Sequence, residues 1–223
     1  MKFDDFIFII PARKGSKGIR NKNIIKIKNK CLVEYTFETL KKIPSNRKFV
    51  ITDSEKVKKI ANKYKINSNY IRERKLSKDN TKLVNNLIDF DKYINEKIKF
   101  KHYVILQPTS PLRNYDDITK SLYKYLKNNS ESLFSISPSS EHPNESIFFK
   151  KRKVCYFIKS KYSLRQKYKK SYFINGAIYI FNRKLLKYKK TISNTKHTIF
   201  EMPKKRSIDL DDYQDLDVAV KLI

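Results

Sequence analysis

Along the chain, apolar and polar positions switch repeatedly between two periods. Phe6 to Ile10 is an unbroken apolar run stopping at Pro11, the pattern of a strand buried on both faces. Val33 to Leu40 takes up helical spacing, and Phe49-Val50-Ile51 returns to a strand. In "TDSEKVKKIANKYK", Val57, Ile60, Ala61 and Tyr64 share one helical face behind a Thr/Asp/Ser start. The alternation continues with a strand near Tyr70-Ile71, a helix from about Leu83 to Tyr93 and a strand from Tyr103 to Leu106. A helix over Asp116 to Leu126 and a strand over Ser132 to Ile136 follow. Strands and helices in this order predict an α/β fold: a mostly parallel twisted sheet with helices on both faces, Rossmann-like.

After about residue 140 the rhythm changes. "FFKKRKVCYFI" has two short apolar arms around a basic turn, which predicts a small β-hairpin insertion suited to a dimer contact. Ala177 to Phe181 then resumes a strand, and Asp211 to Leu222 closes with a helix. The expected organisation is one domain over residues 1–223, with an inserted segment at about 140–172. Neither an internal repeat nor a low-complexity linker interrupts it.

Composition narrows the classes. Apolar residues at 39% and aromatics at 13% suffice for a packed core, which excludes global disorder despite the charge. The longest apolar run is strand-sized, so no membrane span is expected. Asp4 and Asp5 stand where a signal peptide would be basic, so the expected compartment is the cytoplasm. Cys31 and Cys155 form no CxxC pair and read as reduced and structural. His102, His142 and His197 are isolated, which argues against zinc.

The net charge of +29 invites a nucleic-acid reading. Yet 41 of the 51 basic residues are lysines, spread through every segment. The chain also favours residues with A/T-rich codons (Lys, Asn, Ile, Tyr, Phe) over Gly, Ala, Pro and Arg. The charge therefore reads as a solvated lysine surface, and a basic nucleic-acid-binding protein is the lesser alternative.

Glycine is scarce, three in the whole chain, and two fall in "IIPARKGSKGIRNKN". This stretch leaves the predicted first strand at its C-terminal end, where open α/β sheets bind ligands. Gly15 and Gly18 permit close backbone approach, while Arg13, Lys17 and Lys22 supply charge, a combination suited to a triphosphate. It is neither a P-loop nor a dinucleotide fingerprint. The plainer reading is a basic surface loop whose glycines only turn the chain. "LQPTSPLR" makes a stiff polar loop after another parallel strand, offering Gln107 and the bidentate Arg113 to a ligand. "RQKYKKSYFINGAIYIF" brings Arg165 and Gln166 as candidates for a carboxylate, then Asn175 and Gly176, ordinarily a turn signal. In "SIDLDDYQDLD", Asp209 and Asp211 stand two apart; in an extended segment both carboxylates face one way and could hold Mg²⁺. The alternative use of Asp211 or Asp212 is to cap the last helix. Together these pieces suit nucleotidyl transfer, in which positioning and charge neutralisation do most of the catalysis.

"IPARKGSKGIRNKNI", "ITDSE", "LQPTSPLR", "RQK" followed by "NGAIYIF", and "SIDLDD" occur in the order and spacing of the acylneuraminate cytidylyltransferases, the CMP-sialic acid synthetases. The chain resembles that family over essentially its full length. The resemblance implies that CTP and a nine-carbon 2-keto sugar acid give the CMP-sugar and pyrophosphate, with Mg²⁺ as cofactor. It implies a nucleotide site at Ala12, Arg13, Lys22, Asn23 and Arg72, with Lys22 near the phosphates; Gly15, Ser16 and Lys17 of the same loop are expected to join it. It implies sugar binding by Gln107, Arg165 and Tyr179, and metal binding by Asp209 and Asp211; Gln166 and Asn175 are expected beside the sugar. A homodimer is implied, with legionaminic or pseudaminic acid as the alternative acceptor. The chain departs from the pattern at Arg20 and Glu73, where the family usually has proline.

Overall fold

The structure is a computed structural model that describes residues 1–16, 18–73, 82–95, 97–158, 165–193 and 197–223, with Arg165 described by its backbone alone. Its strands are β1 (Phe6–Pro11), β2 (Lys26–Ile27), β3 (Lys30–Cys31), β4 (Lys48–Ile51), β5 (His102–Ile105), β6 (Ser132–Pro138), β7 (Ile147–Lys150), β8 (Lys153–Tyr156), β9 (Tyr172–Asn182) and β10 (His197–Glu201). Its helices are α1 (Leu32–Lys41), α2 (Glu55–Lys63), α3 (Leu83–Ile94), α4 (Tyr115–Lys127), α5 (Arg183–Lys189) and α6 (Tyr213–Leu222).

Six strands form the central sheet in the order β10-β6-β9-β5-β1-β4. Every neighbouring pair is parallel except those made by β9, which runs against both β5 and β6. β1 lies inside the sheet and is apolar on both faces. Phe6, Phe8 and Ile10 join the cluster that receives Val33 and Phe37 of α1, Val57 of α2 and Ile118 of α4. Ile7 and Ile9 point the other way, toward Leu87 and Phe90 of α3 and Leu185 of α5. That two-residue alternation is why the run needs no polar positions. Side-chain caps start α2 and α4. Ser54 caps α2 by accepting from the Val57 N–H, and Asn114 and Asp117 form a reciprocal capping box on α4.

Some expectations change. No regular strand forms at Tyr70-Ile71; only single bridges, Phe49 to Asn67 and Thr52 to Ile71, run beside β4. The expected closing helix begins at Tyr213, with Asp212 as its cap. β10, α5 and the β2–β3 ribbon were not anticipated, being short or weakly periodic. The hairpin does form as β7–β8 and, among the described residues, pairs only with itself. It leaves Ile147, Phe149, Val154 and Tyr156 exposed. Among the described residues no helix is long and apolar enough to cross a membrane.

Candidate active site

The C-terminal ends of β1, β4 and β5 open onto one cleft of about 240 Å³. Open α/β sheets place ligand sites at this edge. β1 feeds it with Arg13, Gly15, Ser16, Lys22 and Asn23, β4 with Ile51, and β5 with Gln107, Pro108 and Thr109; Arg72 and, from α3, Leu83 and Asn86 complete the wall.

The opening loop is shaped by its own backbone contacts. Asn21 sits at φ 55°, a left-handed conformation that asparagine tolerates, and starts a single 3₁₀ turn over Lys22–Ile24. Asn23 Nδ2 donates to the Arg13 carbonyl at 2.9 Å and closes the loop on itself. The two glycines have different jobs. A methyl on Gly18 would lie 2.0 Å from the Asp211 carbonyl oxygen, so only glycine allows the loop to rest on the aspartate segment. A methyl on Gly15 would meet nothing within 4 Å, and Gly15 borders the cleft.

The aspartate segment is clasped on several sides. Arg206 makes a bidentate pair with Asp117, both distances 2.9 Å. The Leu210 N–H donates to the Thr109 carbonyl at 2.8 Å, and Lys22 Nζ donates to the Leu210 carbonyl at 2.5 Å. Lys22 also meets Asp211 Oδ1 at 3.0 Å, with its own side chain buried and that of Asp211 exposed. Asp212 takes the capping role, accepting from the Gln214 and Asp215 N–H groups, which leaves Asp211 for other uses. Asp209 Oδ1 is buried with no partner, while Oδ2 lies 3.2 Å from where a methyl on Gly176 would stand. Burial raises the Asp209 carboxyl above its usual range; a hydrogen bond from Thr109 and the charge of Lys22 oppose that, and Asp211 adds to it.

Gly176 has φ +73° and lies inside β9, so Asn175-Gly176 is not a hairpin turn. Between Phe134 and Ile136 of β6 the register jumps from Tyr179 to Ile174 of β9, a bulge over residues 175–178 that contains Asn175 and Gly176. The bulge brings Gly176 against Asp209 and also against Gln107, whose Oε1 would be 3.1 Å from a methyl added there. Asn175 holds it in place. Its Oδ1 accepts from Ser135 Oγ (2.6 Å) and the Ala177 N–H (3.2 Å), and its Nδ2 donates to Ser207 Oγ (2.9 Å). At 1% exposure it offers no polar atom to a ligand, which corrects its expected role in substrate binding. Arg113 is corrected in the same way. It is buried, with Nη1 donating to the Gln107 and Ala177 carbonyls and Nη2 to Thr36 Oγ1 (3.0, 2.8 and 2.7 Å). It ties β5, β9 and α1 together instead of gripping a ligand.

The structure therefore gathers Arg13, Gly15, Ser16, Lys22, Asn23, Arg72 and Gln107 around the cleft, with Asp209 and Asp211 beside it. Tyr179 is half-buried against the Phe134 ring; burial raises its phenol, and the Asp209 charge adds to the shift. The Ala12 side chain is in the core, its backbone bonding to Ile51 and Thr52. Arg72 is buried, which lowers its guanidinium pKa; Asp53 opposes this and Arg13 adds to it. Gln166 is exposed on a short 3₁₀ turn and is not part of the wall. Lys17 and the Arg165 side chain lie outside the described residues. Sequence reasoning missed Ile51, Leu83, Asn86 and Thr109 as wall residues. Their places after a strand or on a helix's inward stripe were the available signal.

A profile of the cytidylyltransferase family matches residues 7–221. A pseudaminic acid cytidylyltransferase from Campylobacter jejuni is 31% identical over 95% of this chain and 93% of its own. An N-acylneuraminate cytidylyltransferase from Streptococcus agalactiae is 31% identical over 94% of this chain, which spans 51% of that longer protein. Among solved structures, a CMP:2-keto-3-deoxy-manno-octonic acid synthetase complexed with CTP superposes with a TM-score of 0.72. It covers 97% of both chains at 17% identity, a likeness of fold.

Proposed function

The chain belongs to the cytidylyltransferase family, and we propose that it joins CTP to a nine-carbon 2-keto sugar acid of the sialic, legionaminic or pseudaminic type. The anomeric hydroxyl attacks the α-phosphorus of CTP, the new O–P bond forms as the α–β bridge breaks, and pyrophosphate departs. The observation that carries this reading is the clasp of Lys22 on Leu210 and Asp211, which sets a basic loop and two carboxylates at one sheet edge.

Asp209 and Asp211 fit a magnesium ion. One offers a buried carboxylate oxygen without a partner, the other an exposed carboxylate two residues on. Two carboxylates plus substrate phosphates are a usual Mg²⁺ donor set. When bound, the ion would neutralise charge on the phosphates. The chain's own groups do the rest. Arg13 and Lys22 attract and orient the triphosphate, and Lys22, fixed by two hydrogen bonds, opposes charge without moving. Gln107 and Tyr179 flank the acceptor side, beside Asp209. Arg165 and Gln166 are assigned to the sugar carboxylate by residue type, and Arg165 also by resemblance. The exposed apolar face of β7–β8 supports a homodimer, and the cytoplasm, where CTP is made, is the compartment the reaction needs.

Pyrophosphate release tests this, with CTP and Mg²⁺ and, separately, N-acetylneuraminic, legionaminic and pseudaminic acids. Release with CTP and one of these acids, but not with ATP, GTP or UTP, is expected and names the acceptor. Folded protein that releases none with any of them would contradict the reading.

A further inference from the structure

One side chain in the cleft wall does not match its surroundings. α3 turns Asn86, Leu87, Phe90 and Ile94 inward, and three of the four are apolar, as a core stripe requires. Asn86 is 3% exposed, and among the described residues its Oδ1 has no hydrogen-bond partner. Nδ2 reaches only the Lys82 carbonyl, at 3.5 Å, a long contact but one that orients the amide with its oxygen away from that carbonyl. A buried acceptor left unpaired destabilises the fold, whereas leucine at this position would not, so the oxygen calls for an explanation. Asn86 belongs to the wall of the cleft, beside Ile51, Arg72 and Leu83.

We propose that Asn86 Oδ1 accepts a hydrogen bond from the nucleoside half of the bound nucleotide, making it a specificity residue; this rests on the CTP reading above. Phosphate oxygens ionised at neutral pH are acceptors and cannot satisfy a carbonyl. The donors a cytidine nucleotide carries on this half are the cytosine amine and the ribose hydroxyls. Placement agrees. Asn86 lines the cleft together with Ile51 of β4, and β4 lies three strand spacings, about 14 Å, from β9. With the acceptor at Gln107 and Asp209 and the phosphates over the opening loop, the nucleoside falls against Ile51 and Leu83, which offer an apolar surface to a base. At this position cytosine presents an amine where uracil presents a carbonyl. A lone acceptor would pair with the first and oppose the second.

The test is calorimetric binding of CTP, UTP and 2′-deoxy-CTP, with Mg²⁺, to the wild type and to Asn86→Leu, together with thermal melting of both. CTP should bind about 10- to 100-fold more weakly to the variant, the range of one hydrogen bond read by a buried polar group. The melting midpoint should hold or rise, because leucine completes the apolar stripe. If the donor is the amine, CTP and 2′-deoxy-CTP weaken while UTP does not. If it is the 2′-hydroxyl, CTP and UTP weaken while 2′-deoxy-CTP does not. CTP affinity within twofold of wild type, or CTP, UTP, 2′-deoxy-CTP and, measured beside them, 3′-deoxy-CTP all weakened by the same factor, would overturn the proposal; weakening of the first three but not of 3′-deoxy-CTP assigns the 3′-hydroxyl. Asn86→Ala gives the same reading should leucine overpack the site. Wild-type protein that binds none of the three would overturn the CTP reading itself, and this inference with it.

Discussion

The two sides of the cleft are built on opposite principles. On the β5–β9 side many polar groups are tied to one another. Asn175 satisfies Ser135, Ala177 and Ser207, Arg113 bonds three groups from three elements, and Lys22 holds Leu210 and Asp211. Among the described residues Asp209 Oδ1 is the buried carboxylate oxygen left without a partner there, while Ser110 Oγ, Ser132 Oγ, Ser137 Oγ and Arg113 Nε are buried and unpaired as well. On the β4–α3 side the wall is Ile51, Leu83, Arg72 and Asn86, and the Asn86 oxygen is again unpaired. Each side thus brings to the cleft a buried carbonyl or carboxylate oxygen that is open. An unpaired buried acceptor is destabilising in the free protein, and a ligand that supplies its partner removes that penalty. One open acceptor is charged and suits a cation; the other is neutral and suits an N–H or O–H donor.

The largest expected effect comes from removing the charged one. Asp209→Ala should lower pyrophosphate release by roughly 10²- to 10³-fold, the scale of losing one preorganised charge at a reacting centre. Its melting midpoint should hold or rise, because burial already disfavours this carboxylate. Near-normal turnover would remove Asp209 from the site and break the comparison. The two glycines come next. Gly18→Ala forces its methyl into the Asp211 carbonyl, so both melting midpoint and activity should fall, activity by roughly tenfold or more, as backbone displacement at a site commonly does. Gly15→Ala meets only open space, so its midpoint should not change and any effect should be confined to CTP affinity. Equal melting behaviour in the two variants would contradict the different roles given to them.

Much of the β5–β9 side was legible in the sequence because its residues sit in compact motifs after strands. Lys22, Gln107, Asp209 and Asp211 all stand where the motifs put them. What the motifs could not convey was direction of use. Arg113 and Asn175 looked like ligand contacts because an exposed and a buried polar side chain read alike in a sequence. Their partners, Thr36, Ala177, Ser135 and Ser207, come from elsewhere in the chain. The Asn-Gly pair signalled a local turn, but contacts across β6 and with Asp209 made it a bulge. A two-residue period carries no strand direction, so the reversal of β9 was hidden too. On the β4–α3 side, Asn86 reads as one half of an unremarkable Asn pair in "LVNNL". Only the helix's rotation shows that it faces inward.

The smallest expected effect lies at the far end of β5, away from both sides. His102 packs on Phe6 and contacts Tyr125, and burial lowers its pKa from 6.5 to about 4, with Asp5 opposing. The ring stays neutral in the fold while the unfolded chain takes up a proton near 6.5. Stability should therefore fall as the pH drops from about 6.5 toward 4, as it does for any group whose unfolded form binds the proton first. His102→Phe should flatten that slope in pH-dependent melting without altering the CTP/UTP preference. An unchanged slope would mean that other groups control acid unfolding.

The arrangement as a whole is tested most directly by a crystal structure with CTP and Mg²⁺ bound. The triphosphate should lie over the opening loop, with Lys22 and Asp209 at its acceptor end and the nucleoside against Ile51, Leu83 and Asn86. A nucleotide bound the other way round, with its base at Gln107 and Tyr179, or bound outside this cleft, would contradict the account.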